Sequence, residues 1–363
     1  MNFGTKLRLG FAALLCATGL AHAQDIPAAR GLSETARVEL MQRIEAARKE
    51  GSLNYSDTII QPTTNDALVA AFRTYYGLPN NFTVNYTLLT SGAMITRIEQ
   101  EISANRVTFD VAAIGSPTWT FEKQKTGVFM DYRSREYASY QDVIKAGLGL
   151  EGFFVMNGGY AQIPIWNADI LKFNGKSYRD ALNAAVPGRF SIGDVQQSES
   201  HLTSYAGLRQ VLGVEFFREM AKKKPTFVGR SEQSAQRILT GQDVIAFGGN
   251  PSRVHQSNQK GAKLRILYPE EGFTFLPQLT FIMAKAPRPN AAKLWMDFIL
   301  SETGQQILAN REALISGRSG FQSPIPDIAP SFSSLKIIKV DWEKITAAEL
   351  MKYREEWISI FNP

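Results

Sequence analysis

The sequence has 363 residues, of which 44% are hydrophobic and 20% are charged. This composition predicts a globular protein that is long enough to form two lobes with separate cores. The single cysteine, Cys16, lies in the N-terminal leader, so the rest of the chain offers no thiol nucleophile and no thiolate metal ligand. Lysines and arginines are scattered, with residues 222–224 as the one short run, which argues against nucleic-acid binding.

Residues 1–23 are typical of a secretory signal peptide. Lys6 and Arg8 precede an apolar stretch at residues 9–20, which is short for a membrane span and is followed by a small-x-small sequence. We expect cleavage before Gln24 and a secreted mature protein, with an uncleaved membrane anchor as the alternative. Removing the two basic residues lowers the formal net charge from +6 to +4, a mild positive balance that suits a small anionic ligand.

The first part of the mature chain alternates helices, strands and polar turns. An amphipathic pattern predicts a helix at residues 32–49, which Gly51 ends. Three predicted strands are each followed by a hydroxyl side chain near the start of a helix: 52–55 before Thr58, 82–88 before Ser91, and 109–114 before Ser116. In open α/β sheets the ligand cleft lies at the carboxyl ends of the strands, so these turns are expected to border one cleft.

The second part of the chain continues the alternation. Predicted elements are a crossover at 153–166, a strand at 190–192, a polar loop at 194–200, a helix at 231–239, and strands at 244–247 and 263–267. Between these two strands, a Gly-Gly-Asn-Pro loop precedes a helix that carries Arg253 and His255. A strand at 281–284 is followed by a helix from Pro289, with Leu294, Trp295, Phe298 and Ile299 on its apolar face, and by a terminal helix at 342–361.

The order of elements in residues 241–308, including the helical sequence AAKLWMDFILSETGQQ, resembles the periplasmic solute-binding proteins of ABC importers, specifically the ferric-ion-binding type. This resemblance covers nearly the whole mature chain. It implies an α/β, two-lobed type II periplasmic-binding-protein fold with mixed sheets and two hinge crossovers, near residues 160 and 272. Lobe 1 would comprise residues 24–160 and 272–363, and lobe 2 residues 161–271.

One departure from the ferric-ion binders bears on the ligand. Those proteins hold iron with two adjacent tyrosines in the loop after the strand that corresponds to residues 244–247. Here that loop contains no tyrosine, and the adjacent pair Tyr75–Tyr76 ends a helix that should lie far from the cleft. Ferric iron prefers anionic oxygen ligands, whereas this loop leads to Arg253. The sequence therefore predicts no metal site and no cofactor.

The predicted ligand-binding residues combine hydroxyls, a guanidinium and polar neighbours. Free N–H groups at helix N-termini, together with Ser or Thr hydroxyls, form small anion sites, and arginine adds a planar fork for carboxylate or phosphate. Each residue also has a structural alternative: a serine can be only an N-cap, an arginine only solvated, and a histidine only structural. The predicted set is Asp57, Thr58, Ser91, Gly92, Ser116, Ser200, His201, Asn250 and Arg253.

The sequence offers little support for an enzyme, since it contains no HExxH or Walker motif and suggests no Ser-His-Asp set. We expect the periplasmic substrate-binding component of an ABC importer, a monomer that binds a small organic anion such as a phosphate ester, phosphonate or carboxylate. Its protein partner would be the membrane permease. The alternatives are a ligand-presenting subunit for a membrane sensor kinase and a protein that binds a ferric-iron complex.

Overall fold

The computed structural model describes residues 26–361, so the predicted signal peptide lies outside the described residues. Within this range there are twelve α-helices and eleven strands. The helices are α1 Glu34–Glu50, α2 Pro62–Tyr76, α3 Ser91–Ser103, α4 Pro117–Gln124, α5 Gln141–Lys145, α6 Tyr178–Ala184, α7 Glu199–Lys222, α8 Ser231–Leu239, α9 Pro251–Asn258, α10 Pro289–Leu300, α11 Glu302–Glu312 and α12 Ala347–Phe361. The strands are β1 Ser52–Asp57, β2 Thr83–Leu88, β3 Val111–Ile114, β4 Gly149–Leu150, β5 Phe154–Ala161, β6 Ile163–Asn167, β7 Phe190–Gly193, β8 Thr226–Val228, β9 Ile245–Gly249, β10 Leu264–Ile266 and β11 Phe275–Ile282.

The first lobe is built on a six-stranded sheet with the order β2-β1-β3-β11-β5-β4. Strands β1, β2 and β3 run parallel, and β11 pairs antiparallel with both β3 and β5. Every residue of β3 and β11 is buried, whereas the edge strand β2 has none buried. These two strands are also the central pair in the strand order, so the sheet is covered on both faces at β3 and β11.

The second lobe is built on a five-stranded sheet with the order β10-β6-β9-β7-β8. Strand β7 pairs in parallel with β8 and β9, and β6 pairs antiparallel with β9 and β10. Both sheets are therefore mixed, as predicted. A small separate core, which includes Ile165, Ala246 and Val254, packs on one face of this second sheet.

The chain passes directly from one sheet to the other at two places. Strand β5 of the first sheet and β6 of the second are separated by Gln162 alone, and the chain returns between β10 and β11. Both passages lie close to the predicted crossovers near residues 160 and 272. Because Ala161 and Phe275 are paired across β5 and β11, the two crossings leave the first sheet side by side.

The C-terminal helix differs from the prediction, which assigned residues 272–363 to lobe 1. Helix α12 packs against α7 of the second lobe, where Trp357 lies 5.2 Å from the ring of Phe227. The chain therefore crosses between the lobes a third time, after α11. Amphipathic periodicity identified the helix but could not show which lobe its apolar face covers.

The apolar face predicted for the helix from Pro289 is confirmed. Leu294, Trp295, Phe298 and Ile299 are all completely buried in the core of the first lobe. The Trp295 ring lies 5.0 Å from the rings of both Tyr55 and Phe72, at the centre of an aromatic cluster. This cluster fixes α10 against β1 and α2.

Two predicted boundaries were wrong. The strand expected at residues 281–284 begins at Phe275, and the terminal helix expected from Trp342 begins at Ala347. Trp342 is nevertheless buried, because the preceding loop folds back on the core. None of the helices in the described range is both long enough and apolar enough to cross a bilayer.

Candidate functional site

A cleft of ≈ 770 Å³ lies between the two lobes. It is bordered by the loops that follow β1 and β2 in the first lobe and by the starts of α7, α8 and α9 in the second. Most of the predicted residues line this cleft: Thr58, Ser91, Gly92, Ser200, His201, Asn250 and Arg253. Asp57 and Ser116 are not among the lining residues, because both are buried behind the wall.

Asp57 is fully buried and its carboxylate is occupied within the protein. It accepts hydrogen bonds from Tyr55 Oη at 2.6 Å, Ile59 N at 2.7 Å, Ile60 N at 2.9 Å and Gln278 Nε2 at 3.0 Å. Burial raises the pKa of this carboxyl group. The role of Asp57 is thus to hold the turn after β1, not to contact a ligand.

Thr58 lies four residues before α2, so it does not stand at the helix N-terminus as predicted. Its hydroxyl donates to Gln278 Oε1 at 3.1 Å. Gln278 is itself completely buried in β11 and also donates to the carbonyl oxygen of Ala113. This side chain ties three strands together beneath the cleft, a role that no local sequence pattern indicates.

Ser91 occupies the first turn of α3 but is not its cap. The N-cap is Thr90, whose hydroxyl accepts from Ala93 N at 3.3 Å. The Ser91 hydroxyl makes no hydrogen bond to another described residue, which leaves it available to a ligand. A Cβ added at Gly115 would lie 3.9 Å from both Ser91 Oγ and Tyr160 Oη, so the missing side chain of Gly115 keeps this corner open.

Ser116 is the N-cap of α4, yet its hydroxyl makes no capping hydrogen bond. The side chain is 8% exposed, and its oxygen has no partner among residues 26–361. It therefore lies behind the first-lobe wall and does not reach the cleft surface.

His201 is buried in the second-lobe wall, where its Nδ1 lies 2.9 Å from Gln162 Oε1. Because an amide oxygen only accepts, Nδ1 carries the proton and Nε2 is left as an acceptor. Burial lowers the pKa of His201 to about 4, so the ring is neutral at neutral pH. A Cβ at Gly193 would lie 2.2 Å from Nδ1, and this glycine therefore makes room for the ring.

Two ion pairs lie on the second-lobe side of the cleft. Arg253 Nη2 is 2.7 Å from Glu232 Oε1, and Arg354 Nη2 is 2.8 Å from Glu199 Oε1. The two arginine side chains are 14% and 25% exposed, whereas the glutamates are 52% and 40% exposed. The positive groups thus form the inner part of the wall and the negative groups its more solvated part.

Ser200 and Asn250 complete the second-lobe wall in different ways. Tyr160 Oη donates to Ser200 Oγ at 3.1 Å, which joins β5 to the start of α7 across the cleft floor. Asn250 is the N-cap of α9, and its side-chain oxygen accepts from Ser252 N at 2.9 Å. Asn250 is therefore occupied as a helix cap, although its side chain still borders the cleft.

Residues at the N-termini of four helices border the same cleft. Helix α3 begins there in the first lobe, and α7, α8 and α9 begin there in the second. The first N–H groups of a helix have no intrahelical acceptor, and the helix dipole places partial positive charge at that end. These helix starts lie beside Arg230, Arg253 and Arg354 in the cleft lining, which also contains Glu199 and Glu232.

The described cleft lining lacks the pair of adjacent tyrosines that holds iron in the ferric-ion binders. Tyr160 is the sole tyrosine among the described lining residues, and its hydroxyl donates a hydrogen bond to Ser200 Oγ. The adjacent pair Tyr75–Tyr76 lies in α2, outside the cleft lining, and Tyr76 is fully buried. Between residues 26 and 361, no cluster of three or more His, Cys, Asp or Glu side chains could hold a metal ion.

Residues 147–152 match the glycine spacing GxGxxG, but their context does not fit a dinucleotide site. They include the two-residue edge strand β4 and lead into β5, whereas the nucleotide-binding motif links a strand to a helix N-terminus. This segment therefore does not indicate a nucleotide-binding activity.

Two α/β lobes around a cleft define a type II periplasmic-binding-protein fold, and solved structures share it. The substrate-binding protein of an ABC transporter from Agrobacterium tumefaciens matches with a TM-score of 0.72 and 13% identity, over 86% of this chain and 94% of that chain. The periplasmic binding protein AfuA from Actinobacillus pleuropneumoniae, with fructose-6-phosphate bound, matches with a TM-score of 0.67 and 19% identity, over 85% and 98%. Iron-bound HitA from Pseudomonas aeruginosa matches with a TM-score of 0.67 and 17% identity, over 85% and 99%.

The family follows from the sequence itself. Residues 67–331 match the family described as bacterial extracellular solute-binding protein, and the chain belongs to this family. The match confirms the prediction of a binding protein instead of an enzyme. A curated protein from Haemophilus influenzae, described as uncharacterized, is 24% identical over 219 residues, which are 58% of this chain. The chain spans about 60% of the length of that relative.

Proposed function

We propose that this protein is the periplasmic ligand-binding component of an ABC importer and that it captures a small organic anion in the interlobe cleft. The observation that carries this proposal is the convergence of four helix N-termini and three arginines on one cleft. Phosphate esters, phosphonates and carboxylates all offer the acceptor oxygens that such a site would bind. The cleft volume of ≈ 770 Å³ suits a metabolite-sized ligand.

Binding would use both lobes. Ser91, Gly92 and the amides at the start of α3 would contact the ligand from the first lobe, and Arg253 with Ser200 would contact it from the second. Closure would bring the two sets together by rotation about the adjacent crossings at Gln162 and at residues 267–274. Small-angle scattering of the purified protein should show a smaller radius of gyration with ligand than without.

A thermal-shift screen tests the proposal directly. The purified mature protein would be heated with small phosphate esters, phosphonates and carboxylates, each paired with an uncharged analogue of similar size. A ligand that binds only the folded protein raises its melting temperature by mass action. Stabilisation by an anion but not by its neutral analogue is expected. A ligand set confined to neutral or cationic compounds would contradict the anion assignment.

The role in import is tested separately from the ligand. Neighbouring permease and ATPase genes, and loss of uptake of the identified anion when the gene is deleted, are expected for an importer component. A neighbouring histidine-kinase gene together with unchanged uptake would instead support the sensor alternative. Titration calorimetry of the same anion is independent of either outcome, so the ligand and the partner are decided by different measurements.

A further inference from the structure

The C-terminal segment does not simply end on the first lobe but follows the hinge and continues to the second. Ile337 forms a parallel bridge with Phe273, next to the return crossing, and the Phe332 ring lies 5.5 Å from that of Phe275. The segment then enters α12. Residues near the end of the chain are thereby brought to the cleft, although they are more than 100 positions beyond the second-lobe sequence that forms the rest of this wall.

Helix α12 is held against α7 by a hydrogen-bonded ion pair at the edge of their interface. Glu356 accepts from Tyr205 Oη at 2.6 Å and from Arg209 Nε and Nη2 at 2.9 and 3.0 Å. A bidentate arginine–carboxylate pair fixes both distance and orientation. Trp357 packs on Phe227 one residue further along. The helix is therefore held in one position relative to the second lobe.

This anchoring places Arg354 in the cleft lining, beside the first residue of α7. One of its terminal nitrogens pairs with Glu199, while its Nε is buried without an acceptor in the described part of the chain. Arg253 has the same arrangement, with Nη2 on Glu232 and an unpaired Nε. The two guanidinium groups thus each pair one terminal nitrogen with a glutamate and border the same space, although Arg253 Nη1 also donates to Gln256 Oε1 at 2.7 Å.

We propose that Arg354 is a second guanidinium of the anion-binding wall and a specificity-determining residue, supplied to the cleft by the C-terminal helix. This inference rests on the proposed function, since it assumes an anionic ligand. Glu199 does not prevent the role: it is 40% exposed, and an ion pair with a solvated partner is weak and screened. A ligand carboxylate or phosphoryl group could therefore compete for the guanidinium.

The test uses a cysteine reporter in the cleft, because the sequence after the leader contains no cysteine. In Ser91→Cys, the new thiol is labelled with anionic sulfonatoethyl methanethiosulfonate and, separately, with the cationic trimethylammonium reagent. The sulfonate serves as the anionic probe. The anion-to-cation rate ratio is compared in Ser91→Cys alone, with Arg354→Gln added, and with Arg218→Gln added as a control. Arg218 lies on α7, is 56% exposed and is not among the cleft-lining residues.

We expect Arg354→Gln to lower the ratio about fourfold at low ionic strength, the effect of one unit charge on the order of 10 Å away in a water-like medium. Arg218→Gln should leave it unchanged, and Arg354→Lys should largely retain the Ser91→Cys value. A purely structural role for Arg354 would change both labelling rates alike and leave their ratio constant, which would overturn the inference. Arg354→Met, which keeps the aliphatic stem, replaces the glutamine variant if circular dichroism shows that the latter does not fold.

The same data separate this inference from the proposed function. A further reporter, Val211→Cys, places the thiol at a 47% exposed position on α7, outside the cleft lining. Its anion-to-cation ratio gives the value for an ordinary surface. A Ser91→Cys ratio above that value with no response to Arg354→Gln removes Arg354 alone. A Ser91→Cys ratio at or below the surface value removes the anion-binding cleft, and the role of Arg354 with it.

Discussion

The two walls of the cleft are chemically different. The first-lobe wall presents hydroxyls, amides and apolar side chains, and its described lining residues carry no charge: Thr58, Ile59, Gln61, Leu88, Leu89, Thr90, Ser91, Gly92 and Tyr160. The opposite wall, made by the second lobe and α12, contains all of the charged lining residues of the described chain: Glu199, Arg230, Glu232, Arg253 and Arg354.

This difference suggests that one wall attracts the ligand and the other discriminates between ligands. Under the proposed function, the arginines would attract an anion over several ångströms, whereas neutral hydrogen bonds would form only when the ligand is in place. We therefore expect the charged wall to contribute most of the ligand affinity. The neutral wall would discriminate between ligands of different shape after the lobes close. We therefore expect substitutions on the charged wall to have larger effects than substitutions on the neutral wall.

The largest expected effect concerns stability and lies in the charged wall. Folding lowers the pKa of His201 to about 4, below the ordinary value of about 6.5, so the unfolded chain takes up this proton first as the pH falls. The contribution of the neutral ring is complete above pH ~6.5 and is lost between pH ~6.5 and ~4, by up to about 3 kcal/mol. Denaturant unfolding across this range measures it.

His201→Gln should flatten that part of the pH profile, while His255→Gln serves as the matched control. His255 lies on α9 and is hydrogen-bonded to the Asn310 carbonyl oxygen at an exposed position. An identical pH dependence in wild type and His201→Gln would show that the buried histidine does not titrate as the structure indicates.

Arg253→Ala tests the charged wall through affinity. A hydrogen bond to a charged group contributes about 1.5–3 kcal/mol, so loss of the guanidinium should weaken binding of the identified anion roughly ten- to a hundredfold. The fold should survive, because Glu232, its ion-pair partner, is half exposed and can be solvated. Titration calorimetry gives the affinities and Arg218→Ala is the control. Equal affinities in wild type and Arg253→Ala would remove Arg253 from the site.

Ser91→Ala tests the neutral wall and should have a smaller effect. It removes one hydroxyl that has no protein partner among the described residues and leaves the N-cap at Thr90 intact. A single hydrogen bond of this kind contributes about 1 kcal/mol, which corresponds to roughly fivefold weaker binding. A loss as large as that of Arg253→Ala, measured by the same calorimetry, would contradict the division between the walls.

The smallest expected effect is that of adding ferric iron to the protein. Because Tyr160 is the single tyrosine of the described cleft lining, neither wall provides a tyrosinate pair. Purified protein mixed with ferric citrate should show no visible tyrosinate-to-iron absorption band. A coloured one-to-one complex would overturn this expectation and the view that the cleft is built for an organic anion.

Much of the fold was predictable because it depends on local patterns. The periodicity of apolar residues indicated most helices and strands, and the residues that follow the strands indicated where the cleft would lie. The positions of individual side chains in and around the cleft were harder to predict, since they depend on contacts between residues distant in sequence. Asp57 was expected to bind the ligand, but donors from Tyr55 and Gln278 hold it in the interior. Arg354 was missed because no local pattern reveals which lobe α12 covers.

The direct pairing of Ala161 with Phe275 has an evolutionary and an engineering consequence. Strands β5 and β11 form an antiparallel pair, so residues 162–274, which carry the second sheet, are an insertion at the open end of a β-hairpin. A short turn could rejoin the two strands if the insertion were removed. Such a minimal domain would also have to end before α12, whose residues Trp357 and Phe361 would otherwise lose their covering partner Phe227.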